Sequence, residues 1–251
     1  MSSSIWTECA GDSEIRPLVL DAWRVVESQH QIATRKLVTS DAEQQLLEQL
    51  IEGVKPPDPT RGRLHYLLAT PFRYPPLPYG SRYGTRAERG IWYGSETQPT
   101  AFAEVAYYRL LFLEGTKATL TSLEIDLTAF RASIRTARGV DLSAPPFTAH
   151  VDVLASPSCY AATQALGTAM RAAAVEAFRY VSARDAQRGI NVAAFEPSVF
   201  GRRQPRSLET WRCTASRERV ELVRRDYFRR AAFAFPREQF LVAGELPAPA
   251  V

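Results

Sequence analysis

Residues 80–108 read GSRYGTRAERGIWYGSETQPTAFAEVAYY, and three local structures follow one another in this stretch. Its first part continues FRYPPLPY, and the whole run holds too many prolines and glycines for regular structure. A loop of that length in a compact domain is often functional. GIWYGS then reads as a short strand. QPTAFAEVAYYRLLFLEG, to residue 115, reads as a helix, with Thr97 as N-cap, Pro99 tolerated in the first turn and Gly115 as terminator. Loop, strand and helix in direct succession predict a mixed α+β class.

Upstream, RLHYLLA (63–69) reads as the strand that enters the loop, and KPPDPTRG (55–62) as a proline-rich connector. Residues 13–54 read as helical. Their clearest segment is SDAEQQLLEQLIEGV, where Ser40 and Glu43 form a capping box and Leu46, Leu47, Leu50, Ile51 and Val54 share one face. Downstream the pattern predicts a strand in KATLTSLEIDL, a small-residue helix over about 158–177, and strands in FRYVSA, INVAAFE, TWRCTAS and RVELVRRD. The ending GELPAPAV reads as frayed. This divides the chain into an N-terminal helical extension, 1–57, and a mixed domain, 58–240.

Composition narrows the function classes. Of 251 residues, 45% are hydrophobic and 23% charged, the balance of an ordinary globular protein, and no run approaches the roughly 18 apolar residues of a membrane helix. The start, MSSSIWTECAGDSEIR, shows no basic segment followed by an apolar run, so a cytoplasmic location is expected. Cys9, Cys159 and Cys213 lie far apart, as do His30, His65 and His150, and no HExxH appears, so no metal site is expected. His65, on an apolar segment, reads as structural. There is no P-loop, no GxGxxG after a strand and no GxSxG. A net charge of +4 raises nucleic acid as a partner, but Arg202, Arg203, Arg206, Arg224, Arg225, Arg229 and Arg230 are interrupted by acids and aromatics, which fits a protein-binding or solvated surface better.

What remains is Arg82, Tyr93 and Glu104, one each on the loop, the strand and the helix, eleven residues apart. Arginine supplies a planar cation for phosphate, tyrosine a platform, and glutamate an acceptor for ribose hydroxyls. Each has a plainer reading. Arg82 could be a surface residue, Tyr93 core packing beside Trp92, Glu104 a partner for Arg109 or Arg63, and Ser95 or Thr97 a helix cap.

The ordered set resembles the RES domain, a family named for an Arg, a Glu and a Ser. GSRYG stands for its glycine loop, IWYGSET for a strand ending in Tyr, and TAFAEV for its AxxE-type helix. RYVSARD followed by GINVAAFEP stands for its later serine strand, with Ser182 as the serine. An early strand Arg, usually preceded by an aromatic, is matched by Arg63 in GRLHY, next to Tyr66. Tyr83, Gly84 and Val181 depart from the family's usual Trp, Asn and Pro. The resemblance covers roughly 60–235. It implies an ADP-ribosyltransferase-like mixed β-sheet core with flanking helices. The implied activity is that of a toxin that consumes NAD, by phosphorolysis with inorganic phosphate as co-substrate, by hydrolysis, or by ADP-ribosyl transfer to a protein. Glu104, Arg82 and Tyr93 would be catalytic, with Arg63, Tyr66, Ser95, Thr97 and Ser182 binding NAD. An Xre-type antitoxin would be the partner.

Overall fold

The computed structural model describes residues 4–28, 38–60, 62–118 and 120–248. In chain order the elements are α1 (Ile5–Glu8), β1 (Arg16–Glu27), α2 (Asp41–Val54), α3 (Tyr66–Arg73), β2 (Trp92–Ser95), α4 (Gln98–Gly115), β3 (Leu123–Asp141), α5 (Val151–Leu154), α6 (Ala161–Ala172), β4 (Ala177–Val181), β5 (Ile190–Ala194), β6 (Arg206–Ala215), β7 (Arg219–Arg224) and β8 (Ala232–Pro236). The class is α+β. The strands form one mixed sheet in the order β1-β2-β5-β4-β3-β6-β7-β8, and β1 also pairs with β3. Five strands therefore close on themselves, while β6, β7 and β8 continue outward from β3. Only the β3–β4 pair is parallel.

Two expectations fail, for related reasons. Among the described residues, α-helix over 13–54 holds only for α2. Residues 16–27 are a strand in antiparallel register with β3, Arg16 opposite Gly139 and Glu27 opposite Leu127. Val19, Trp23, Val25 and Val26 favour a pleated surface, and the partner that stabilises it lies more than a hundred residues away. The N-terminal region thus contributes a strand to the main sheet. Residues 29–37 of the expected helix, with His30, and residues 249–251 of the frayed ending lie outside the described residues. The second failure is RLHYLLA, which forms α3. His65 caps it by accepting the Leu67 N–H at Nδ1, 3.3 Å away, and Leu67, Leu68 and Ala69 are all buried. A short apolar run carries no periodicity that separates a buried strand from a buried helix turn.

α4 matches its sequence signals. The Thr97 hydroxyl accepts the Thr100 N–H, and Pro99 sits in the first turn, where it costs no hydrogen bond. Phe102, Ala106, Leu110 and Leu113 face β3 and the outer strands, where Phe102 meets Trp211 edge-on at 4.6 Å. Fully burying a Phe or Leu side chain stabilises by about 1.5–3 kcal/mol, so Phe102, Leu110 and Leu113 anchor the helix on this face. Its other side, with Glu104 and Tyr108, turns toward a cavity.

Candidate active site

The cavity has a volume of about 590 Å³, within the range of roughly 300–1,000 Å³ usual for small-molecule sites. The glycine loop forms one wall. Gly80 has φ +74°, and a Cβ there would fall 2.3 Å from the Gly84 carbonyl, so only glycine makes this turn without strain. Gln164 of α6 donates to the Tyr79 and Ser81 carbonyls at 3.1 and 3.0 Å and fixes the loop from behind.

Arg82 follows and is 9% exposed. Its Nη1 donates to the Leu154 and Ser156 carbonyls, and its guanidinium lies 4.5 Å from the Tyr160 ring centroid. Burial opposes its charge, but the nearby Tyr160, Tyr180 and Tyr83 rings and the Glu104 carboxylate outweigh it and hold the pKa above the ordinary arginine value. The Tyr93 hydroxyl accepts the Tyr83 N–H at 3.2 Å and pairs with Ser81 Oγ at 2.9 Å, tying β2 to the loop. Burial pushes that phenol up to about 12.

Glu104, half-buried on α4, is held through one oxygen. Oε1 accepts from Ser182 Oγ and from Asn191 Nδ2, each at 2.6 Å, while Oε2 accepts nothing from the described residues. Ser95 Oγ in turn donates to Asn191 Oδ1 at 2.7 Å. Arg109, one of the alternative partners, pairs with Glu27 instead. Arg82, Tyr93, Ser95 and Glu104 therefore line the same cavity, and Ser182 sits directly behind the carboxylate.

Arg63, Tyr66 and Thr97 are not brought there. The Arg63 Nε donates to the Thr60 carbonyl in the turn before α3, Tyr66 is 46% exposed against His65, and the Thr97 hydroxyl is committed to capping α4. Residues 63–69 are a turn and helix instead of a strand, and the strand arginine that does reach the cavity is Arg24 of β1. Arg24 lines the cavity and donates from Nη1 to the Tyr93 carbonyl at 2.6 Å. Among the described residues its buried Nε has no hydrogen-bond partner and the group no ion pair, and burial lowers its pKa to about 10. A signal for it existed: Trp23–Arg24 is an aromatic–arginine pair, and it lies on a strand. No local signal marked Asn191.

Away from the cavity, several of the C-terminal arginines are internally paired. Arg224 bonds Glu209 and Asp226, Arg225 bonds Asp126, and Arg206 approaches Asp21. Among the described residues no three His, Cys, Asp or Glu side chains gather as metal ligands, and no helix is long and apolar enough to cross a membrane.

The model of the RES domain matches residues 59–216, more than half of the chain. The matched span contains the loop, α4, Ser182 and Asn191, and leaves β1 with Arg24 outside. No match is found among curated proteins.

Proposed function

The chain belongs to the RES-domain family, which is associated with toxin and NAD-related activity, and on that premise we propose that its cavity cleaves the nicotinamide–ribose bond of NAD. One observation carries this reading. Glu104, a carboxyl group whose Oε2 accepts nothing among the described residues, shares one cavity with two cationic guanidinium groups, Arg24 and Arg82, that lack ion-pair partners among the same residues. A carboxyl oxygen open to the cavity beside two guanidinium groups suits a substrate that is positive at its reacting ribose and negative at its pyrophosphate.

Nicotinamide leaves a cationic pyridinium as a neutral base, so departure needs no general acid. The site has to stabilise the positive charge that develops on the ribose. In this proposal Glu104 Oε2 accepts from the nicotinamide-ribose hydroxyls and faces that charge, a preorganised electrostatic contribution worth a few kcal/mol. Arg24 and the unbonded edge of Arg82 hold the pyrophosphate. With inorganic phosphate as acceptor, a phosphate oxygen forms the new bond to the anomeric carbon as the C–N bond breaks. The electron pair leaves with nicotinamide, and ADP-ribose 1-phosphate remains. A second anion beside two guanidinium groups favours phosphate over water. Tyr93 borders the ribose and holds the loop, and Ser95 and Ser182 act from behind Glu104.

RES proteins are generally paired with an antitoxin. An Xre-type partner covering this cavity is the form of restraint we assign to the chain. The test is incubation of the purified protein with NAD, with and without phosphate, followed by NMR of the products. ADP-ribose 1-phosphate marks phosphorolysis, ADP-ribose marks hydrolysis, and label retained on protein marks transfer. Unchanged NAD under all conditions would overturn the proposal.

A further inference from the structure

We propose that Asn191, on β5, is a positioning residue that locks the Glu104 carboxylate in one orientation and leaves Oε2 as the oxygen presented to substrate. Asn191 is 2% exposed and stands in register with Ser95 of β2 on one side and Tyr180 of β4 on the other. Its side-chain amide bridges Ser95 Oγ at 2.7 Å and Glu104 Oε1 at 2.6 Å. The amide can face only one way, because the reverse orientation would set Oδ1 against a carboxylate oxygen at that distance with no proton between them. With the amide so oriented by the carboxylate, the Ser95 hydroxyl donates to Oδ1 at the other end. The relay runs from hydroxyl to amide to carboxylate, with the negative charge at its end.

Ser182 supplies the second donor to the same oxygen. Its Oγ accepts the Arg184 and Asp185 N–H groups, both at 3.1 Å, so its single proton is directed at Glu104. Two donors on Oε1 and, among the described residues, none on Oε2 hold the carboxylate plane, a terminal torsion that is otherwise broad. An amide suits this task because it carries no charge. A lysine or arginine in its place would cancel the negative charge that the ribose requires. Sheet assembly does not need the bridge either, since the β5 backbone is paired along both edges.

The kinetic part of the inference rests on the NAD reading, and its electrostatic part does not. The experiment compares wild type, Asn191→Ala and Asn191→Asp by thermal melting, NAD turnover against pH, and ¹³C NMR titration of the Glu104 carboxyl, assigned with Glu104→Gln. For Asn191→Ala, kcat is expected to fall about ten- to a hundredfold, the range for a hydrogen bond to a charged group, with little change in KM. Asn191→Asp is isosteric and sets a second carboxylate against Oε1. The like charges oppose each other, and both the Glu104 titration and the acid limb of the kcat profile should move to higher pH than in wild type. A folded Asn191→Ala with wild-type kcat, or an unmoved Glu104 titration in Asn191→Asp, overturns the assignment. If wild type leaves NAD intact, the functional reading falls, and the Glu104 titration still decides the role of Asn191.

Discussion

Arg24 of β1 donates from Nη1 to the main-chain carbonyl of Tyr93 on β2 at 2.6 Å. Between these two strands only Trp23 and Ser95 are in register, so the guanidinium both reinforces a short junction and brings a cation to the cavity wall. The buried Nε has no hydrogen-bond partner among the described residues, and burial lowers the pKa to about 10, so the group remains charged at neutral pH. A buried cation without a counter-ion is costly, and an anionic ligand relieves that cost.

Arg24→Ala is therefore expected to lower kcat/KM for NAD about ten- to a hundredfold. Arg24→Lys should recover little of it, because an ammonium cannot span both the Tyr93 carbonyl and an anion as a planar guanidinium can. Calorimetry with added pyrophosphate gives an independent check. The anion should raise the melting temperature of wild type and not of Arg24→Ala, and equal shifts in both would remove Arg24 from the anion site.

Glu104→Gln keeps the shape of the side chain and an oxygen able to accept from Ser182 and Asn191, so the fold should persist. With the charge gone, NAD consumption should drop by about a hundredfold or more. Product analysis by NMR, on protein shown to melt like wild type, measures this directly, and retained turnover would discard Glu104 as the catalytic carboxylate.

Tyr93→Phe removes the acceptor for the Tyr83 N–H and the partner of Ser81 Oγ. Leaving a buried amide unpaired costs about 1–3 kcal/mol. Chemical denaturation should report a loss in that range, and a stability equal to wild type would mean that another acceptor replaces the hydroxyl.

The same phenol gives the protein an alkaline limit. Burial raises Tyr93 and Tyr107 to about 12, against an ordinary value of about 10 for exposed tyrosine. Above pH ~10 the unfolded chain loses these protons and the folded chain retains them. Their contribution is thus complete below pH ~10 and is lost as pH rises toward 12. Melting temperature measured across this window should fall, less steeply in Tyr93→Phe, and a flat profile would contradict the burial of these hydroxyls.

Gly167→Ala sets helix propensity against packing. Alanine in the interior of α6 is favoured by about 1 kcal/mol, but its Cβ would lie 1.9 Å from the Tyr83 carbonyl oxygen. The collision involves backbone on both sides, so it should dominate. Denaturation is expected to show a net loss of stability, with weaker NAD turnover because the displaced loop carries Arg82. A more stable variant would show that the loop can withdraw.

Local chemistry made part of this protein legible without coordinates. The Thr97 cap, Pro99 and Gly115 bound α4 at the residues observed, and short apolar runs marked β5 and β7, because caps, breakers and local hydrophobic pattern act within a few residues. By the same means a loop arginine, a strand tyrosine and a helix glutamate could be seen to follow one another in order. Tertiary structure decided the rest. Residues 16–27 become a strand only because β3 offers an edge, and 63–69 become α3 because an apolar run takes its form from what buries it. These two outcomes carried Arg24 into the cavity and kept Arg63 and Tyr66 out. Asn191 meets Ser95 through pairing across β2 and β5 and reaches Glu104 from there, at separations for which a linear pattern has no signal. Hydrogen bonds between distant strands depend on register, and register is a property of the assembled sheet.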